Sequence, residues 1–268
     1  MFFRTHLEYG DVIFHDQLAD MMDSLESLQY QAALIVSNCW RGTNKVKLYK
    51  ELGWESLHDR RIFRRFTLYY KILNDETPRY LKDHIHPLPN KMTLRYERSF
   101  FPFCQLNWDA IDNNIKNADN LSQFKSRYLK VIRPPPRGFF GIDDKYGVRL
   151  LFKLRVDFSD LRRHRFDHKF NCLSPICKCA LEDECTEHFL TRCPLFTSHR
   201  RILDSSISNI LMNDFSVLPN DYKKRIILYG SDSFNNVTNN LILQSTIRFI
   251  RSTKRFNKLE AFTIVSQL

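Results

Sequence analysis

Glycine is scarce in this chain, at seven of 268 residues, and tryptophan scarcer, at three. So few glycines argue against a fold of many tight turns and suggest a helical body. No stretch reaches the ~18 uncharged apolar residues that span a bilayer, so no membrane partner is expected. The opening "MFFRTHLEYGDVIF" is broken by Arg4, His6, Glu8 and Asp11 and does not read as a signal peptide. The expected setting is therefore intracellular and reducing, where cysteines stay as thiols or bind metal. Seven cysteines is also an odd number for a disulfide framework.

What is present is positive charge and aromatic carbon. Lys and Arg total 41 against 30 acids, a net charge of +11, and there are 22 Phe and 11 Tyr. The excess favours a polyanionic partner, of which nucleic acid is the commonest. With 43% hydrophobic residues the chain can bury one large core or two ordinary ones.

Helical periodicity dominates the first third. Leu18, Met21, Met22, Leu25, Leu28, Ala32, Ile35, Val36 and Cys39 recur at spacings of three and four, marking one face of a long amphipathic helix. "RGTN" breaks it, Thr43 or Asn44 can cap a short helix, and Gly53 ends that one. From about Ser56 to Asn74, Ile62, Phe63, Phe66, Tyr69, Tyr70 and Leu73 form a buried stripe. Arg60, Arg61, Arg64 and Arg65 are expected on the opposite, exposed face. Such a face either tracks phosphates or is solvated and paired to acids.

The prolines of "TPRYLKDHIHPLPN" suggest a boundary near residue 90, and "MTLRYERSFF" reads as a short strand or extended arm. Helical patterns resume in "QLNWDAI" and "LSQFKSRYLKVI", and "RPPPRGFFG" cannot be helical, giving a second boundary. Further helices are expected over about Gly147–Phe158, in "DYKKRIILYG", and over about Val237–Phe256, with a basic cluster "RRHRFDHK" before the cysteines. The fold is expected to be mostly α, with at most a few short strands. Its regions are 1–90, a connector at 91–141, and 142–268 with a small cysteine-rich insertion at 172–196.

Cys177, Cys179, His188 and Cys193 form C-x-C-x8-H-x4-C. Structural zinc takes four such ligands in a tetrahedron, and four protein ligands leave no open position for water. Asp183 reads as the N-cap of a short helix carrying His188. Residues five apart on an ideal helix sit ~140° apart, so His188 and Cys193 could not both face one ion. Pro194 disfavours helix at Cys193 and can begin the next one, leaving Cys193 at a break, free to turn back. Cys172 and Cys185 are substitute ligands, and the rival reading is a group of buried thiols beside a core histidine. One structural zinc is the favoured expectation.

"RTHLEYGDVIF", "ALIVSNCWRGTNKVKLYKELGWESLHDRRIFRRFTLYYKILNDETPRYL", "RSFFPFCQLNWDAI", "FGIDDKYGVRLLFKLRV" and "CKCALEDECTEHFLTRCPLFTSHR" resemble, in order, the region downstream of the polymerase core in jockey-like non-LTR retrotransposon reverse transcriptases. The resemblance covers most of the chain and implies a helical thumb at 1–90. It matches Cys177, Cys179, His188 and Cys193 to the family's cysteine–histidine cluster, with Ala180 where many relatives have glycine. It further implies binding of element RNA, template–product duplex or target DNA, and residence in a nuclear or cytoplasmic ribonucleoprotein. The remainder of a reverse transcriptase is an implied partner. Phosphate contacts would come from Arg60, Arg61, Arg64 and Arg65, and from Arg162, Arg163 and Arg165 beside the zinc module.

The RNA-directed DNA polymerase reaction of that family needs a metal-holding carboxylate pair. In the family the pair sits in an aromatic-x-Asp-Asp hairpin upstream of the region matched here. Asp143-Asp144 looks similar but follows a proline loop and precedes a helix, which suits a cap. Asp221-Tyr222-Lys223 has nuclease-like spacing but lacks a partner acid and suits a helix start. This chain alone is therefore expected not to be an enzyme. The alternative is a decayed or co-opted retroelement relic that serves as a zinc-stabilised protein-interaction module.

Overall fold

The computed structural model describes residues 9, 10, 12, 19–133 and 141–256, and their regular secondary structure is almost wholly helical. Two compact units divide the chain: Met1–Ala33 with Leu52–Pro135, and Leu34–Glu51 with Pro136–Leu268. The division between Pro135 and Pro136 falls within the proline-rich stretch, most of which lies outside the described residues, as does Leu18.

In the first unit α1 (Ala19–Ser37, whose last residues belong to the second unit) precedes α3 (Leu57–Leu73). Ser56 caps α3, its hydroxyl accepting from the Asp59 N–H at 3.0 Å. Short helices α4 (Arg79–Lys82), α5 (Leu94–Arg98) and α7 (Asn113–Lys116) alternate with longer α6 (Phe100–Trp108) and α8 (Leu121–Ile132). Phe66, Tyr69 and Tyr70 of α3 share one core with Cys104, Ile111, Ile115, Phe124 and Tyr128. Tyr70 stacks on Phe124 with ring centroids 4.4 Å apart, and its hydroxyl donates to the Ala118 carbonyl at 2.6 Å. A boundary near residue 90 is thus corrected: segments on both sides of it build the same core.

Two further expectations are corrected here. Within residues 92–101, Leu94–Arg98 and Phe100 onward are helical, not extended, with Thr93 capping α5 through the Tyr96 N–H and Ser99 standing between α5 and α6. On α1, Met21, Leu28, Ile35 and Val36 are exposed while Gln29, Ala33 and Leu34 are buried. Polar groups anchor this helix: Gln29 Nε2 donates to the Glu55 carbonyl, and Glu26 Oε2 accepts from the Leu57 N–H, both at 2.9 Å. A hydrophobic pattern could not register bonds to a backbone 26 to 31 residues away.

In the second unit, Asn44 caps α2 (Lys45–Leu52) by accepting from the Lys47 N–H, and Gly53 follows α2 at φ 65. Helices α9 (Lys145–Arg155), α10 (Arg162–Asp167), α11 (Thr197–Leu211), α12 (Asn220–Tyr229) and α13 (Asn236–Ser252) complete it. Asp144 caps α9 through the Gly147 N–H at 2.9 Å and also meets Arg251 at 2.8 Å, so it serves as a helix cap. Asp221 lies in the first turn of α12. At Gly147 a Cβ would stand 2.2 Å from Ile247 Cγ2, so α9 meets α13 closely only because this residue has no side chain. Arg155 is buried with Glu51 at 3.1 Å and donates to the Leu228 carbonyl at 2.6 Å. One isolated antiparallel bridge, Ile176 to Asp183, is the extent of β pairing among the described residues. No helix among them is long and apolar enough to cross a membrane.

Candidate metal centre and basic surfaces

The bridge between Ile176 and Asp183 closes a tight loop. Cys177 donates its N–H to the Glu182 carbonyl, and Ala180 donates to the Cys177 carbonyl, both at 2.9 Å. Ala180 holds φ 63, the left-handed conformation that glycine adopts without a side-chain penalty. The loop turns Cys177 and Cys179 to the same side, where amide hydrogens meet both sulfurs.

The other two ligand candidates come from a widened helical turn. Residues His188–Arg192 form a π-helical turn in which the Cys193 N–H donates to the His188 carbonyl at 2.8 Å. This five-residue bond gives His188 and Cys193 a shared side that an α-turn would deny them. Cys193 leaves the helix at φ −57, ψ 120 and Pro194 opens the next turn, as the proline suggested. Asp183 does not cap the His188 turn. The Cys185 sulfur does, accepting from the His188 N–H at 3.4 Å, while Asp183 pairs with Arg163 at 2.8 Å.

Ligand atoms of Cys177, Cys179, His188 and Cys193 all lie within 4.8 Å of one another, compatible with a single metal ion. Cys177 and Cys193 sulfurs are 3.7 Å apart, and Cys179 Sγ is 3.3 Å from His188 Nε2. A tetrahedral ion sets about 3.8 Å between two sulfurs and about 3.5 Å between sulfur and imidazole nitrogen. Cys172 and Cys185 stand outside the group, Cys172 Sγ near the Ser174 carbonyl at 3.2 Å. Burial pushes the Cys177 thiol up to about 12 and also raises Cys193. An ion that displaced those protons would remove the cost of burying the thiolates.

Glu182, Arg192 and Glu184 support this centre and were not expected from the sequence. Glu182 Oε1 is 2.9 Å from His188 Nδ1, which leaves Nε2 free for the metal. Hydrogen bonding to His188, joined by Arg192, holds the Glu182 carboxyl below its ordinary value. Arg192 grips Glu182 by two nitrogens, at 3.1 and 2.8 Å, and reaches Glu187, which also meets Lys224 of α12. Glu184 is buried and takes both Arg255 nitrogens at 2.6 Å and the Arg162 N–H at 2.8 Å. An excess of acids between the paired ligands was visible in "ALEDECTE", but which acid meets which cation depends on the turn.

The basic residues divide. Arg61 and Arg65 are buried, at 4% and 1% exposure, which corrects the expectation of four arginines on an exposed face. Arg65 donates to the Arg98 carbonyl at 3.0 Å and lies over the Phe103 ring at 4.5 Å. Helices α5 and α6, read from sequence as extended chain, cover that side. Arg60 and Arg64 are partly exposed and line a hollow of about 460 Å³ with Lys71, Lys125 and Arg133. Arg163 pairs with both Asp167 and Asp183, Arg162 donates to the Ser174 carbonyl, and Arg165 is partly exposed. Two of these three therefore hold the metal module to α10.

Ser159 Oγ is 2.9 Å from His164 Nδ1, but that nitrogen also receives the Ser159 N–H at 3.1 Å and both residues are buried. The pair lies at the start of α10, His164 Nε2 reaches Thr186 Oγ1 at 3.4 Å, and the buried serine presents no accessible nucleophile. Comparison with known proteins finds no matching family model, no matching curated protein and no matching solved structure.

Proposed function

We propose that this chain is the nucleic-acid-binding C-terminal part of a non-LTR retrotransposon reverse transcriptase, without a polymerase site of its own. The observation that carries the reading is the assembly of Cys177, Cys179, His188 and Cys193, one of the two most specific motifs of the resemblance, within 4.8 Å of one another and with two pairs near tetrahedral spacing. Zinc is the ion this donor set suits best, in a structural role, since the protein fills all four positions. RNA or DNA would be held through phosphates by Arg60 and Arg64, with Lys71 and Lys125 beside them, and by Arg165 near the zinc module. Arg61 and Arg65 act instead in packing. The reading assigns the chain to a ribonucleoprotein inside the cell, alongside the rest of the reverse transcriptase.

The test is binding to a structured RNA and a DNA duplex across a salt series, with zinc-loaded and metal-stripped protein. Salt-sensitive binding that weakens for Arg60→Gln/Arg64→Gln, with a shallower salt slope, is expected. No binding at low salt by folded, zinc-containing protein would refute the reading. It would favour a retroelement relic acting as a zinc-stabilised interaction module. That second reading draws on the inward direction of Arg61 and Arg65 and the internal pairing of Arg163.

A further inference from the structure

We infer that Trp40 and Phe170, in the second unit, form a stacking platform for the bases of single-stranded nucleic acid. This rests on the nucleic-acid reading above but uses residues that reading leaves idle. Trp40 is 63% exposed and Phe170 38%, yet their rings lie 5.8 Å apart, so two large aromatic side chains meet at the surface.

Both are held from beneath. Trp40 begins a turn in which Thr43 returns its N–H and hydroxyl to the Trp40 carbonyl, at 3.3 and 2.9 Å. Gly42 adopts φ 96 in that turn, beside the His168 ring. Phe170 sits edge-on to buried Phe158, which itself packs on His168 at 4.4 Å. Lys169 and Asn171, on either side of Phe170, both take positive φ, at 57° and 32°. Lys169 is the left-handed residue that closes α10, its N–H on the Phe166 carbonyl at 3.1 Å, so the end of that helix fixes where Phe170 stands. The Phe170 N–H is fixed on the Arg165 carbonyl at 2.8 Å.

Charge around the rings is of one sign. "CWRGTNKVK" and "HKFNC" contain no acid, and Arg41, Lys45 and Lys169 are exposed. Two acids of the same unit are engaged elsewhere, Asp157 with Lys47 and Asp167 with Arg163. Exposed aromatic faces whose flanking residues in the chain are exposed cations suit unpaired bases on a phosphate backbone. A duplex, whose bases already stack on each other, gains nothing from the rings.

The experiment is titration of the zinc-loaded full chain with oligodeoxythymidylate, which forms no hairpin, and separately with a DNA duplex. Trp40→Ala and Phe170→Ala should each weaken oligodeoxythymidylate binding about 5- to 100-fold, with an unchanged salt slope and little effect on the duplex. Arg41→Gln/Lys169→Gln should instead flatten the slope. Bound oligonucleotide should quench tryptophan fluorescence in the native protein and not in Trp40→Leu. Melting curves and zinc content establish that each variant is folded. Native-like oligonucleotide binding by both alanine variants would overturn the platform and leave the nucleic-acid reading standing. Failure of the native protein to bind either probe would overturn both.

Discussion

Removing the Glu182 carboxylate should loosen the metal without touching a ligand. Glu182 Oε1 stands 2.9 Å from His188 Nδ1 while Nε2 faces Cys179, so the carboxylate sits where it can hold the ring with Nε2 toward the cysteines. In Glu182→Ala the ring loses its orienting partner, and Arg192 keeps only Glu187. Outer-shell losses of this kind cost 10- to 100-fold in affinity, about 1.4 to 2.8 kcal/mol. Glu182→Gln should fall between, because its amide oxygen can still accept from Nδ1–H although its charge is gone. Competition against a chromophoric zinc chelator at fixed pH measures all three proteins, and cobalt substitution reports whether the site stays tetrahedral. Cys193→Ser, which removes a ligand, sets the scale of complete disruption. Unchanged affinity in Glu182→Ala alongside a large loss in Cys193→Ser would refute the orienting role. Native affinity in Cys193→Ser would show that the metal binds elsewhere.

Ala180→Gly should raise the melting temperature of zinc-loaded protein, by a gain of about 0.5 to 1 kcal/mol, because φ 63 carries a Cβ penalty there. Gly147→Ala should cost about 1 to 3 kcal/mol in denaturant unfolding, and Ile247→Ala in the same chain should relieve part of it, since the clash is with Ile247 Cγ2. Burial works upward on the Asp144 carboxyl, but Arg251 and the amides of Gly147 and Tyr146 bring it below its ordinary value. Its contribution is therefore present above the unfolded-state value near 4 and lost as pH falls through the lower folded value. Asp144→Ala should cost about 0.5 to 2 kcal/mol at neutral pH, and Asp144→Asn should keep the cap while flattening the acid limb of the stability profile.

Helices announced by caps and period were legible from the residues alone. Ser56, Asn44 and Asp144 stand where their side chains bond the first turns, and the 121–132 helix coincides with its apolar pattern. The metal cluster was legible for a different reason: ligand chemistry restricts residue type, and Pro194 restricts the backbone. What escaped were features set by distant partners. Arg65 faces inward because aromatic rings some 35 residues onward cover it, and no local pattern distinguishes it from Arg64. The π-turn escaped because its one diagnostic bond, Cys193 to His188, has no residue preference to betray it.

The second unit draws on two stretches of chain, Leu34–Glu51 and Pro136–Leu268. During synthesis α2 emerges long before α9, and its buried Glu51 waits for Arg155, 104 residues later. All of 52–135 must be made in between, so the first unit can condense while the second has only its opening strip. The metal ligands, by contrast, span 17 residues and close over a short loop. A ribosome paused after residue 135 would hold one unit able to collapse and a short amphipathic helix whose Glu51 has yet to meet Arg155. That nested order makes the stretch 34–51 the part of the molecule most dependent on prompt completion of the chain.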